Sequence, residues 1–140
     1  MATMQFEIRD TTDVEPEAAL ALFRTVDWAD RRSLESVGPA LAGTYLLITG
    51  WHDGQCVGIV RVLSDGVYRA LIEDVIVHPD FQGQGLGRLM LEATVAHPKV
   101  RDLEAVFLFT SSPGFYERFG FKSSVHGMFR LSAAYEQGQG

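Results

Sequence analysis

The stretch Val77-His78-Pro79-Asp80-Phe81-Gln82-Gly83-Gln84-Gly85-Leu86-Gly87-Arg88 runs from an apolar strand pattern through a glycine-rich turn into an amphipathic helix pattern. Glycines at 83, 85 and 87 let the backbone bend and leave no side chain between its N–H groups and an anion. The helix that follows adds unpaired amides and the positive end of its dipole. Such a junction is suited to holding phosphate, with Gln82, Gly83, Gln84, Gly85, Leu86, Gly87 and Arg88 as the cradle.

Spacing separates the kinds of phosphate loop. A P-loop needs Gly-x-x-x-x-Gly-Lys-Ser/Thr, and neither the Lys nor the hydroxyl follows Gly87. A dinucleotide fingerprint needs Gly-x-Gly-x-x-Gly, whereas these glycines fall as Gly-x-Gly-x-Gly. A second element lies about thirty residues downstream, Phe115-Tyr116-Glu117-Arg118-Phe119-Gly120-Phe121.

Together, Gln82-x-x-Gly85-x-Gly87 and Phe115-Tyr116-x-x-x-Gly120-Phe121 resemble the pyrophosphate loop and the Phe-Tyr-x-x-x-Gly-Phe signature of the GCN5-related N-acetyltransferases. The resemblance covers nearly the whole chain. It implies acetyl-coenzyme A as cosubstrate, its pyrophosphate on the glycine loop and its pantetheine amides alongside Val75, Ile76 and Val77. A backbone N–H near Ile76 or Val77 would face the thioester oxygen. The side chains of these three residues are core in either reading, so only their main chain would act.

Acetylating an amine also requires proton movement, because an alkylamine of pKa about 10 is mostly protonated at neutral pH. Glu73 and Asp74 interrupt an apolar strand just before the cofactor segment. Strand neighbours point to opposite faces, so one of the two faces the acceptor as base or amine binder, unless a bulge changes the assignment. Glu73 is the preferred candidate, Asp74 the second, and a structurally satisfied pair the third. His78 is a further, weaker candidate base.

The departing thiolate needs a proton, and resemblance assigns that role to Tyr116; packing between Phe115 and Phe119 is its alternative. Many family members carry Asn four residues before this Tyr to bond the pantetheine arm, and here that position is Ser112. Trp28, in the segment between the first two helices, is a candidate wall of the acceptor site. The runs at 57–66 and 72–77 and Gly127-Met128-Phe129 look like a compact bacterial subgroup, similar also to plastid acetyltransferases of arylalkylamines and of protein lysines. The leading acceptor is therefore a small primary amine, an arylalkylamine or polyamine; a protein lysine or N-terminus and a non-catalytic acyl-coenzyme A sensor are the alternatives.

Composition bounds the rest. A chain of 140 residues with 46% apolar content is long enough for one domain with a substantial core. No apolar run approaches the roughly 20 residues of a membrane span, and Met1 to Gln5 lack a leader pattern, so cytoplasmic location is expected. A formal charge of −6 without a Lys/Arg block argues against nucleic acid or anionic membrane partners. Cys56 sits in a strand pattern and reads as a buried thiol, and His52, His78, His97 and His126 lack metal-ligand spacing, so no metal is expected. The family often dimerises through late strands, which makes a homodimer one expectation.

The elements that must position these groups follow from period and punctuation. The pattern predicts a strand at 6–9, a helix from Pro16 with Ala19, Leu22, Phe23 and Val26 inward, and a second helix from Ser33 to Gly43. Strands are predicted at 44–52, 55–63 and 68–78, joined by type I′ turns at Asp53-Gly54 and Asp65-Gly66. A helix from Gly85 to Ala96 presents Leu86, Leu89, Met90 and Ala93 on one face and stops at His97-Pro98. A strand at 103–110, a short helix from Ser111 to Arg118 and a closing strand or hairpin at 121–131 complete the chain, with 133–140 frayed. The fold class is mixed α/β of the α+β kind, a largely antiparallel twisted sheet with helices on both faces, which is also the fold the resemblance implies.

Overall fold

A computed structural model describes residues 5–137; Met1 to Met4, which carry most of the leader reading, and the frayed-end residues Gly138, Gln139 and Gly140 lie outside them. The chain divides between Thr110 and Ser111 into two compact units.

The first unit is a five-stranded sheet in the order β1-β2-β3-β4-β5, formed by Glu7–Arg9, Leu46–His52, Gln55–Ser64, Arg69–Val77 and Ala105–Leu108. Strands β1 to β4 are antiparallel neighbours and β5 joins β4 in parallel. Helices α1 (Pro16–Phe23) and α2 (Leu34–Ala42) precede the meander, and α3 (Leu86–Ala96) connects β4 to β5. Pro16 starts α1 where a missing N–H costs nothing, and the Ser33 side chain caps α2 in a reciprocal arrangement with Ser36.

Ala19, Leu22 and Phe23 of α1 and Val37 and Leu41 of α2 pack in one cluster with Leu47, Ile59 and Ile76 of the sheet. The opposite face receives α3. Gly50 and Gly58 stand directly across from one another on β2 and β3, and a Cβ on either would lie within 3 Å of Leu86 or Met90. Two bare backbones thus form a flat seat for the first turns of α3, which fixes where its N-terminus points. Helices on both faces of a mostly antiparallel sheet match the expected class.

Several local expectations need correction. Helix α1 ends at Phe23, so Val26 falls outside it. The inward stripe of α3 is Leu86, Met90, Leu91 and Thr94; Leu89 is exposed, because the seat on Gly50 and Gly58 rotates the helix toward Leu91. Thr94 is accommodated by donating its hydroxyl to the Met90 carbonyl at 2.8 Å. The first hairpin has positive φ at both Asp53 (48°) and Gly54 (78°), as a type I′ turn requires. The second does not: of Asp65 and Gly66 only Gly66 has positive φ, and the Asp65 carboxylate instead accepts from the Val67 and Tyr68 amides. That side chain organises a wider loop than the dipeptide alone suggests.

The second unit holds α4 (Pro113–Glu117) and α5 (Ala133–Gln137). Residues 121–131, expected as a closing strand or hairpin, adopt no regular structure, and 133–137, expected to fray, are helical. A strand needs a ladder partner, and none is formed by 121–131 among the described residues.

Candidate functional site

Strand β4 pairs with β5 only from Arg69 to Ile72, while β3 accompanies it as far as Val77. The β5 side of residues 73–77 is therefore an open edge. The His78 amide donates to the Val57 carbonyl at 2.8 Å, and in an antiparallel ladder successive residues alternate between facing the partner and facing away. Ile76 consequently turns its N–H and C=O to β3, whereas Val75 and Val77 turn theirs to the open edge. Of the two expected oxyanion donors, Val77 has the available orientation.

The edge leads straight into the glycine loop. Pro79–Phe81 forms a 3-10 turn capped by His78, whose Nδ1 accepts the Asp80 amide at 3.1 Å. That bond occupies the ring nitrogen on the loop side. Phe81 sits among His52, His78 and Phe6, with ring centroids 5.3–6.4 Å away. Gln82 reaches back and donates from Nε2 to the Val77 carbonyl at 3.0 Å, so its side chain braces the loop against the strand end.

Gly83 (φ 76°) and Gly85 (φ 87°) are both left-handed, and their Cβ positions face open space. Alternating backbone handedness turns successive N–H groups toward one concavity. Gly85 is the N-cap of α3 and supplies no capping side chain, so the first-turn amides of Leu86, Gly87 and Arg88 keep their donor capacity for an anion. Leu86 is buried against the seat, while the Arg88 guanidinium lies on the helix surface with Glu92 at 2.8 Å.

Glu73 and Asp74 meet opposite fates. The β3–β4 register steps from Arg61↔Asp74 to Val62↔Ile72, which leaves Glu73 as the extra residue of a β-bulge, exposed to solvent. Asp74 is fully buried and its Oδ2 accepts from Arg61 Nε at 2.7 Å and from Arg32 Nη1 at 2.9 Å. Its Oδ1 is buried without a protein partner. Removing both arginines would leave an uncompensated buried carboxylate, whereas the Glu73 side chain is exposed. Arg32 and Arg61 were not singled out by spacing; each lies distant in sequence from Asp74, and only the ladder and the α1–α2 connection bring them to it.

Trp28 is half-exposed in the α1–α2 connection, 5.7 Å from the Arg32 guanidinium, which also lies 4.6 Å over Phe23. Cys56 is buried, and burial pushes its thiol up from the ordinary value, so it is held as the neutral thiol. Among the described residues no three His, Cys, Asp or Glu groups converge as a metal site, and no helix is long and apolar enough to cross a membrane.

In the second unit, Ser112 is the N-cap residue of α4 and Tyr116 lies within it. The Tyr116 ring packs edge-on against Phe115 at 5.0 Å and Phe121 at 6.0 Å. Burial pushes its phenol above the ordinary value, which keeps it protonated and able to donate.

The profile of a family described as an acetyltransferase (GNAT) domain matches residues 44–123, a span that includes β2 to β5, the glycine loop and Tyr116. A soybean protein named histone acetyltransferase TAP1 is 31% identical over 129 residues, covering 83% of this chain and 55% of its own length. A rice chloroplastic protein named serotonin N-acetyltransferase 2 is 37% identical over 70 residues, covering 49% of this chain and 35% of its own. A crystal structure from Xanthomonas campestris pv. campestris, described as belonging to the GNAT family, superposes with a TM-score of 0.83 at 27% identity, covering 94% of this chain and 96% of that one. The chain spans about half the length of the curated relatives it matches.

Proposed function

The chain belongs to the GNAT acetyltransferase family, and on that premise we propose that it transfers the acetyl group of acetyl-coenzyme A to a primary amine of a small molecule, an arylalkylamine or polyamine. The observation that carries this reading is the open β4 edge at Val75 and Val77 running into the alternating Gly83 and Gly85 loop. A peptide-like pantetheine arm can add to that edge as a strand would, and a diphosphate suits the amides beyond it.

The transfer is direct. An ammonium acceptor loses a proton to Glu73, or to a water bonded to it, and the free amine attacks the thioester carbonyl carbon. Negative charge then collects on the carbonyl oxygen, where the Val77 N–H stabilises it. As the intermediate collapses, the attacking nitrogen gives up its second proton to solvent, the amide forms, and the C–S bond breaks with its electron pair going to sulfur. Tyr116 protonates the thiolate and recovers its proton from solvent. Exposure supports Glu73 rather than Asp74 as base: Asp74 is held between two guanidinium groups and has no path to exchange with an acceptor. Ser112 takes the place of the Asn expected near the pantetheine arm, with a shorter reach.

The rice relative's name favours an arylalkylamine, and the half-exposed Trp28 offers such a ring a face. The soybean relative's name favours a protein lysine, and its similarity runs over more of the chain. A thiol-release assay with acetyl-coenzyme A and a panel of tryptamine, spermidine, amino sugars and a lysine peptide tests the choice. Release with tryptamine or spermidine supports the reading; release with the peptide alone replaces it by protein acetylation. Coenzyme A binding without release to any amine would indicate an acyl-coenzyme A sensor.

A further inference from the structure

The Arg32–Asp74 pair joins two parts of the molecule that the sequence keeps 42 residues apart, the α1–α2 connection and the β4 bulge beside Glu73. Its construction differs from the other ion pairs. Asp74 has no exposed side-chain surface and already has a full-strength partner in Arg61 at 2.7 Å. Arg32 is thus the second guanidinium on the same oxygen, arrives from a segment outside the sheet, and keeps 29% of its side-chain surface exposed. Charge neutralisation alone does not call for it, since one arginine balances one carboxylate.

What Arg32 adds is attachment. Its guanidinium lies 4.6 Å from the ring of the buried Phe23 at the end of α1 and 5.7 Å from that of Trp28, while Nη1 donates to Asp74 at 2.9 Å. Trp28 sits in a connection of turns with no regular helix or strand between α1 and α2. Such segments are held by whatever side chains cross from them to the scaffold. A planar fork can stack and bond in fixed directions at once, which a lysine cannot.

We propose that Arg32 is a positioning residue for the acceptor: it ties the Trp28 segment to β4 through Asp74, and so fixes the distance between the acceptor's aromatic or apolar body at Trp28 and its amine at Glu73. This deepens the acceptor reading above and rests on it. It predicts that the acceptor side and the donor side respond separately, because the glycine loop and the Val75 and Val77 edge owe nothing to Arg32.

The test compares Arg32→Ala, Arg32→Gln and Arg32→Lys in the full chain. Steady-state thiol release gives KM for the best amine and for acetyl-coenzyme A, and acrylamide quenching of Trp28 in a Trp51→Phe background reports the segment itself. The expected result for Arg32→Ala is an amine KM raised about tenfold, an acetyl-coenzyme A KM within about twofold, and faster quenching of Trp28. Arg32→Gln, which can still donate to Asp74, should recover more of the amine KM than Arg32→Lys if directed bonding rather than charge is what matters. It also stands in if Arg32→Ala does not fold. An unchanged amine KM, an equal rise in both KM values, or unaltered quenching overturns the proposal. A wild-type chain that acetylates no amine would overturn the acceptor reading itself, and quenching would then still decide whether Arg32 anchors the Trp28 segment.

Discussion

Strand β4 carries two adjoining regions of opposite construction. From Val75 to the start of α3, the groups proposed to meet the cofactor are main-chain amides, set by ladder alternation, by two left-handed glycines and by a helix end. At Glu73 and Asp74 the groups of interest are side chains, Glu73 placed by a bulge and Asp74 held by two arginines reaching in from elsewhere. A backbone site tolerates side-chain change and fails when φ or strand pairing is disturbed. A side-chain site tolerates backbone strain poorly and fails when one partner of a charge cluster is lost.

Substitutions should separate the two. Asp74→Ala should have the largest effect, a loss of about 3–5 kcal/mol of stability from unpairing two partly buried guanidinium groups, read as a large fall in Tm. Glu73→Gln next to it should leave Tm within a degree or two yet lower kcat; a Tm loss equal to that of Asp74→Ala would erase the distinction between the neighbours. Tyr116→Phe should reduce kcat about 100-fold with acetyl-coenzyme A affinity nearly intact, since it removes a proton and little volume. Unchanged turnover would remove Tyr116 from the mechanism.

Gly85→Val should weaken coenzyme A binding about tenfold or more, because a β-branched residue resists the left-handed N-cap conformation while its Cβ meets no neighbour. Gly58→Ala places a Cβ 2.8 Å from the Met90 methyl and should cost about 1–3 kcal/mol of stability, with coenzyme A affinity falling only as α3 shifts. The smallest effect is in pH. Burial raises the Tyr116 phenol, so its acid form persists through the ordinary phenol range near 10 and any descending limb of kcat due to it lies above that. The associated stability is present at lower pH and is lost as pH rises through the folded value; Tyr116→Phe should remove that alkaline loss.

The donor side was the more legible of the two in the sequence because glycine spacing is a local statement about φ. Gln82-x-x-Gly85-x-Gly87 led to the loop, and the apolar run before it led to β4. The acceptor side was less so. Nothing local distinguishes Glu73 from Asp74; the bulge that exposes one and buries the other is a property of the β3–β4 register. Arg32 and Arg61 matter only through a contact made after folding. Gly50 and Gly58 carried a readable signal, isolated glycines inside strand patterns, whose meaning was the close seat of α3. The closing strand or hairpin expected at 121–131 failed for the converse reason: a strand forms only when an edge is there to receive it.

Main-chain amides from Val75 to Arg88 are proposed to bind an acyl-coenzyme A. Isothermal titration of the purified chain with coenzyme A tests it directly, with Gly85→Val measured beside it. Saturable binding of one molecule per chain, weakened about tenfold or more by Gly85→Val in a chain that still folds at the assay temperature, is the predicted result. No heat with the wild type, or equal affinity in the two proteins, would contradict it.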